Sequence, residues 1–415
     1  MNNFSILYRI EIKKILSKKS VWIMLVLGMV LIIVSELSNI LPLNQNYTYP
    51  DGSSMTPAQF YHKERKTCEE LSGKRLDDAF LKKMREDIRN FLKGKEYIHY
   101  RDSDAGKYQG VWYAAEKLGY ENIISLLYNQ YGEEKFPIDC LMEDSAKQYY
   151  RRMRENLETE FAQSGLTEKE SEYWRQKADQ LKKPITYEYA HGIQTFLQMD
   201  SPLIWFAFLL IVVSLAGVFS EETVHRTDAM ILSTKNGREP VCAAKLLAGA
   251  TVAVVEMGIV LGGNFGAVLL TFGSKGLRGA LMLVVQNTPW DITIGQALKL
   301  SFGFSMILAI LFALVTMFLS QRLNNSLSVM AVQVGVLLVG IFSIPASYGI
   351  LSQIWSLRPT AFSLRSFLAE YRLVELGGRL FNAFQVAGVL YVAGSLLIVP
   401  IVFLGYKKMQ IEKNF

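Results

Sequence analysis

The chain has 415 residues, 50% of them hydrophobic and 20% charged, with a formal net charge of +6. That mixture argues against one uniform object and for apolar spans and a polar domain sharing one chain. Residues 42–200 carry a charge of about −3 and the remainder about +9, so the positive excess belongs to the apolar part. No basic stripe interleaved with aromatics marks a nucleic-acid surface, and no nucleic-acid partner is expected.

In chain order, residues 2–19 read as an amphipathic helix with Phe4, Leu7, Tyr8, Ile12 and Ile15 on one face. Such a helix lies along a membrane surface; the alternative is a span that begins early. Six stretches are long and apolar enough to cross a hydrocarbon core of about 30 Å: 21–41, 202–219, 246–272, 297–319, 326–344 and 384–406. The first lacks a clear small-residue cleavage site, so it reads as a retained span and not a signal peptide. Arg9, Lys13, Lys14, Lys18 and Lys19 precede it, and Lys407, Lys408 and Lys413 follow the last span. Basic flanks mark the cytoplasmic side, which puts both termini there. An even number of spans then places 42–200, 273–296 and 345–382 outside, and 220–245 and 321–325 inside. Arg358, Arg365, Arg372 and Arg379 in the last outer loop run against this assignment. The fold class expected is all-α: a polytopic protein of the cytoplasmic membrane, with six transmembrane helices and a helical extracytoplasmic domain at 42–200.

That domain carries helix signals throughout. Thr56-Pro57-Ala58-Gln59 combines an N-cap, proline at the first helical position and a capping box, and Gly73 would end the helix. Leu76, Phe80, Leu81, Met84, Ile88 and Leu92 trace a second apolar face stopped by Gly94. Tyr149, Tyr150, Met153, Leu157 and Phe161 trace a third, stopped by Gly165. Thr167-Glu168-Lys169-Glu170 is a second capping box, opening a helix through Trp174, Ala178 and Leu181. Tyr97, Tyr100, Tyr108, Trp112 and Tyr113 suit either a binding surface or a helical core, and core is the expectation. Cys68 and Cys140 both fall in this domain. Outside the cell they could form a disulfide, closing a loop worth ~3–4 kcal/mol by chain entropy, or they are two unrelated thiols. The 345–382 loop is too apolar for a solvated loop and is broken by Pro345, Gly349, Pro359 and Gly377-Gly378. It reads as short helices at the outer leaflet, tolerated against protein or a water-filled cavity.

The sequence carries little recognisable catalytic or ligand-binding chemistry. There is no phosphate-binding loop, no paired-histidine zinc spacing and no nucleophile elbow, so no catalytic residue, cofactor or metal is assigned to the chain. The glycine-rich GGNFG at 262–266 reads as close helix packing. Glu256 is the one ionisable residue inside a span, and such residues are functional hypotheses by default. It either lines a route or binds a cation or a proton, or else it is hydrogen-bonded to a neighbouring helix or subunit, through Gln333 or Asn264, or reaches water near the cytoplasmic end. Acidic pairs such as Asp77-Asp78 and Glu133-Glu134 read as solvated surface.

One polar passage separates two apolar spans: FSEETVHRTDAMILSTKNGREPVCAAKLL, residues 219–247. It carries Glu221-Glu222, His225-Arg226-Thr227, Met230-Ile231-Leu232-Ser233-Thr234, Gly237-Arg238 and Lys245-Leu246-Leu247-Ala248 in that order. A short helix over 223–236, with Val224, Met230, Ile231 and Leu232 as apolar contacts, could seat in a partner's groove; otherwise it is a plain loop on lipid headgroups. This pattern resembles the permeases of type-2 ABC exporters. The basic surface helix, six spans and broken element before the last span agree with them. Asp228-Ala229 stands where many relatives carry a more apolar pair.

The resemblance implies a membrane subunit without its own ATP site. A separate ATP-binding subunit would supply the energy and a second permease subunit, identical or related, would complete the route. It makes the 220–245 loop the coupling element, with Glu221, Glu222, Val224, Arg226, Met230, Ile231 and Leu232 as its contact residues. Two other classes remain, and against the first stand only the coupling-loop pattern and the broken outer helices. One is a membrane-anchored receptor whose outer domain binds a peptide. The other is an intramembrane enzyme, for which no nucleophile–base or metal pair appears at membrane depth.

Overall fold

The computed structural model describes residues 3–40, 47–48, 52–94, 104–128, 130, 145–224, 239–323 and 325–407. It is mostly helical and divides into two compact units: Met1–Ile32 with Met199–Phe265 and Leu300–Phe415, and Ile33–Gln198 with Gly266–Lys299.

The first unit begins with α1 (Asn3–Leu16) and α2 (Lys19–Ile40). The expected surface helix ends at Leu16 and not at residue 19, and the chain bends by 64° at Ser17-Lys18 before α2. The bend is capped locally. Ser17 Oγ donates to Lys14 O (2.8 Å) and Trp22 Nε1 to Leu16 O (2.7 Å), satisfying carbonyls that a helix end leaves orphaned.

Four described helices are long and apolar enough to cross a membrane, or five if the bent pair counts as one span. They are 191–222, Glu239–Phe272, Ile294–Arg322 and Ala383–Lys407. The expected fifth span, 326–344, is a shorter apolar helix, Ser326–Val339; it ends where Gly340 approaches Thr360 too closely for a Cβ. Trp22, Ile23, Val26 and Leu31 on α2, and Val389, Leu396, Leu397 and Leu404 on Ala383–Lys407, are all exposed. So many bare aliphatic side chains on a soluble protein would be an aggregation hazard. On a membrane protein they meet lipid or another helix.

The expectation of an all-α chain needs two corrections, both short antiparallel hairpins. One pairs β1 (Tyr47–Thr48) with β2 (Ser54–Met55), and the other pairs β3 (Val374–Leu376) with β4 (Arg379–Phe381). Gly377 and Gly378, read from the sequence as breakers, form the turn of the second. Both have positive φ (58° and 79°), as a two-residue hairpin turn requires.

The second unit contains α3 (Pro57–Glu70), α4 (Asp78–Leu92), α5 (Asp104–Leu118), α6 (Glu121–Tyr128), α7 (Ala146–Gln163) and α8 (Glu168–Asp179). The capping boxes at Thr56–Gln59 and Thr167–Glu170 form as expected, and Ser145–Gln148 adds a third. Leu81, Met84 and Ile88, then Tyr149, Met153, Leu157 and Phe161, then Trp174 and Ala178 are buried. Each large apolar side chain so buried stabilises the unit by ~1.5–3 kcal/mol. Tyr113 is buried against Phe91 and belongs to the core, and the half-buried Trp112 packs against Tyr128. Tyr97 and Tyr100 lie outside the described residues.

The segment between the spans at 266–299 joins this unit. Leu281 N–H donates to Ile292 O and Ile294 N–H to Gly279 O. Trp290 packs on Trp174 with ring centroids 5.3 Å apart, and Lys275 pairs with Glu69 at 2.9 Å. Gly276 lets the segment close. Its φ is +90°, and a Cβ there would stand 2.3 Å from Tyr189 O. Gly276→Ala should destabilise the full-length protein by about 1–3 kcal/mol. Gly303→Ala, where a Cβ meets nothing within 4 Å, should be neutral or stabilising. Thermal unfolding of the two variants side by side checks this.

Candidate functional site

The residues flanking the polar passage meet in one cluster of charges in the first unit. Helix α9 (His191–Leu215) is followed by a turn and by α10 (Ser220–Val224), and α11 (Glu239–Phe272) opens the next long helix. Lys245, near the start of α11, is 1% exposed. Its ammonium donates to Glu11 Oε2 (3.1 Å), Glu222 Oε1 (2.8 Å) and Val218 O (2.8 Å). All three donors are thus used. The Val218 carbonyl follows the end of α9, where a cation is favoured by the helix dipole.

The same carboxylates serve a second cation. Lys14 lies 2.9 Å from Glu11 and 3.2 Å from Glu222. Two lysines and two glutamates therefore balance in charge, the condition under which burying them is tolerated. Next to them, Lys18 at the α1–α2 bend pairs with Glu221 at 2.8 Å. Gly217 permits that approach, since a Cβ would stand 1.9 Å from Glu221 Oε1 and 2.8 Å from Lys18 Nζ. The turn itself is held by Ser320, whose hydroxyl oxygen accepts from Phe219 N–H and Ser220 N–H (3.0 and 3.2 Å). An open groove of about 500 Å³ runs beside the cluster, lined by Glu11, Lys14, Lys18, Glu221, Glu222 and Lys245 among others.

Of the residues expected to make the coupling contact, Glu221 and Glu222 anchor this network, and Val224 ends α10 with 57% of its surface exposed. Arg226, Met230, Ile231 and Leu232 lie outside the described residues. Glu11, Lys14, Lys18, Ser320 and the pairing role of Lys245 were missed from the sequence. One signal was available: Glu11 is the only acid in α1 and falls at helical spacing among Leu7, Tyr8, Ile12 and Ile15. A lone carboxylate within an apolar face needs a cation.

Glu256 is buried and accepts a hydrogen bond from Ser214 Oγ. Its partner is therefore neither Gln333, which donates to Thr316 (2.9 Å), nor Asn264. Glu256 Oε2 has no hydrogen-bond partner among the described residues. In the GGNFG stretch, only Gly263 faces a neighbour, Met29, at 3.4 Å; Gly262 and Gly266 face open space. Cys68 is a free, buried thiol that donates to Gly119 O (3.3 Å). Cys140, its expected bridge partner, lies outside the described residues.

The broken element at 345–382 is fastened to the long helices. Phe304 on α12 (Ile294–Arg322) contacts Phe362, Phe367, Phe384 and Tyr391, with centroids 5.1–5.8 Å apart. Arg358 donates to Gly340 O, Phe342 O and Trp355 O, and Arg372 pairs with Glu370 at 2.6 Å. Arg358 thus caps carbonyls, and Arg372 neutralises a carboxylate. Asp200 Oδ2 accepts from Leu364 N–H (2.8 Å).

No family model, curated protein or solved structure matches the chain.

Proposed function

We propose that the chain is the membrane permease subunit of an ATP-driven ABC exporter. The observation that carries this is the Lys245–Glu11–Glu222 cluster. It ties the surface helix α1, the start of the polar passage and the start of the next long helix into one charged joint. A force applied to the 220–238 passage by a partner would reach α1, α9 and α11 together through that joint. A plain connecting loop has no use for four buried or half-buried charges.

In this reading a separate ATP-binding subunit docks beneath the passage, and this chain hydrolyses nothing itself. Two permease subunits face each other, using part of the exposed apolar surface on α2 and Ala383–Lys407, and form the route. Both termini are cytoplasmic, and the second unit is extracytoplasmic. ATP acts only through contacts that differ between the two transport states. A photo-reactive residue placed at Val224 should crosslink an ATP-binding protein in cells. If the purified chain moves and signals without any such contact, the receptor reading replaces this one.

A further inference from the structure

The second unit holds a cluster that nothing in the transport reading uses. Glu64 and Cys68 lie four residues apart on α3, so they share one helix face. Glu121 opens α6 beside them. One oxygen of each carboxylate and the Cys68 sulfur all lie within 4.8 Å of one another, and Cys68 Sγ is 3.8 Å from Glu121 Oε1. Ligands at ordinary zinc distances on a tetrahedron stand about 3.4–3.6 Å apart, so small side-chain movements bring the trio into range.

Glu64 supplies the observation that points to a ligand. It is 4% exposed. Its Oε1 is held by Asn122 Nδ2 (3.1 Å) and His191 Nδ1 (3.4 Å), whereas its buried Oε2 has no hydrogen-bond partner among the described residues. Orienting one oxygen from outside and leaving the other bare is how a ligating carboxylate is prepared. Asn122 also reaches Cys68 Sγ (3.5 Å). The hydroxyl of Tyr189, itself 1% exposed, is also buried without a partner and interacts with the charges of Glu64, Cys68 and Glu121. Burial raises the pKa of Glu64 and Cys68, and burial together with the charges of Glu64 and Glu116 pushes Glu121 up to about 9.

We propose that Glu64, Cys68 and Glu121 bind a divalent transition-metal ion of zinc type. A thiolate selects against calcium and magnesium, which take oxygen ligands. A mixed sulfur and carboxylate set suits Zn²⁺, with solvent as the fourth ligand. A small cleft of about 40 Å³ is lined by Asn122 and His191, the two residues that hold Glu64. The ion would join α3 to α6, with Asn122 and His191 holding Glu64 in place. This inference does not depend on the transport reading.

The test uses the full-length protein in detergent, stripped with a chelator and passed through gel filtration. Zn²⁺ added back should be retained at one ion per chain and should raise the unfolding temperature, since a ligand bound only to the folded state stabilises it. Co²⁺ used as a probe should give a thiolate-to-metal charge-transfer band. Cys68→Ser should abolish that band, and Glu64→Gln and Glu121→Gln should each weaken retention at least ~10-fold. His62→Ala serves as a control outside the trio. Absence of the cobalt band in the wild-type protein overturns the proposal outright, even if Cys68→Ser fails to fold. So does zinc retention that Cys68→Ser leaves unchanged.

Discussion

Replacing Lys245 by methionine should destabilise the full-length protein by about 3–5 kcal/mol, because it leaves a buried carboxylate without its cation. Lys245 is 1% exposed and touches Glu11, Glu222 and Val218 O. Methionine fills most of the space, so the loss reports charge more than volume. The double variant Lys245→Met with Glu11→Gln restores balance, with Lys14 still facing Glu222 at 3.2 Å. It should recover much of the loss, and the gap between the double and the sum of the singles measures the coupling. Thermal unfolding in detergent, followed by tryptophan fluorescence, is the readout. Equal melting of the wild type and Lys245→Met would mean that water reaches the cluster and that it is no joint.

The second large effect is expected at Phe304. Its ring stacks on Phe362 at 5.1 Å and meets Phe367, Phe384 and Tyr391 edge-on. Phe304→Ala should cost about 3–5 kcal/mol through the cavity it leaves, with each lost ring pair contributing ~0.5–1.5 kcal/mol. The consequence should be local before it is global. The 345–382 element loses its anchor on α12, so trypsin should cut faster at Arg365 and Arg379 in the variant. Phe304→Leu, which keeps bulk and loses only the ring geometry, should fall between wild type and alanine. An unchanged digestion pattern would show that Arg358 and the Asp200–Leu364 contact hold the element without the aromatic cluster.

What the sequence revealed follows from how local each signal is. Thr56, Pro57 and Gln59 announce a helix start within four residues, and the cap forms as read. Apolar spacing at Leu81, Met84 and Ile88 needs only one helix to be legible, and these side chains are buried. Partners far apart in sequence were not legible. Lys245 and Glu11 are 234 positions apart, and no local pattern links them. The docking of 266–299 onto the polar helices was hidden for the same reason, since Trp290 and Trp174 pair only in three dimensions. Gly377-Gly378 was legible but underread, because a glycine pair flanked by apolar residues is a hairpin signal as much as a helix breaker. Glu256 stood out as an acid within an apolar helix, and it is buried. Its partner Ser214 was not foreseeable, because a serine in an apolar helix usually bonds its own backbone.

The central claim is that an ATP-binding subunit docks on the 220–238 passage. The most direct test is affinity purification of the full-length chain in mild detergent with an ATPase assay on the eluate, comparing wild type with Val224→Asp plus Ile231→Asp. The account predicts that an ATP-binding protein copurifies with the wild type, carries the ATPase activity and is lost from a variant that is otherwise folded. Eluates of equally folded wild type and variant that both lack ATPase activity would contradict it.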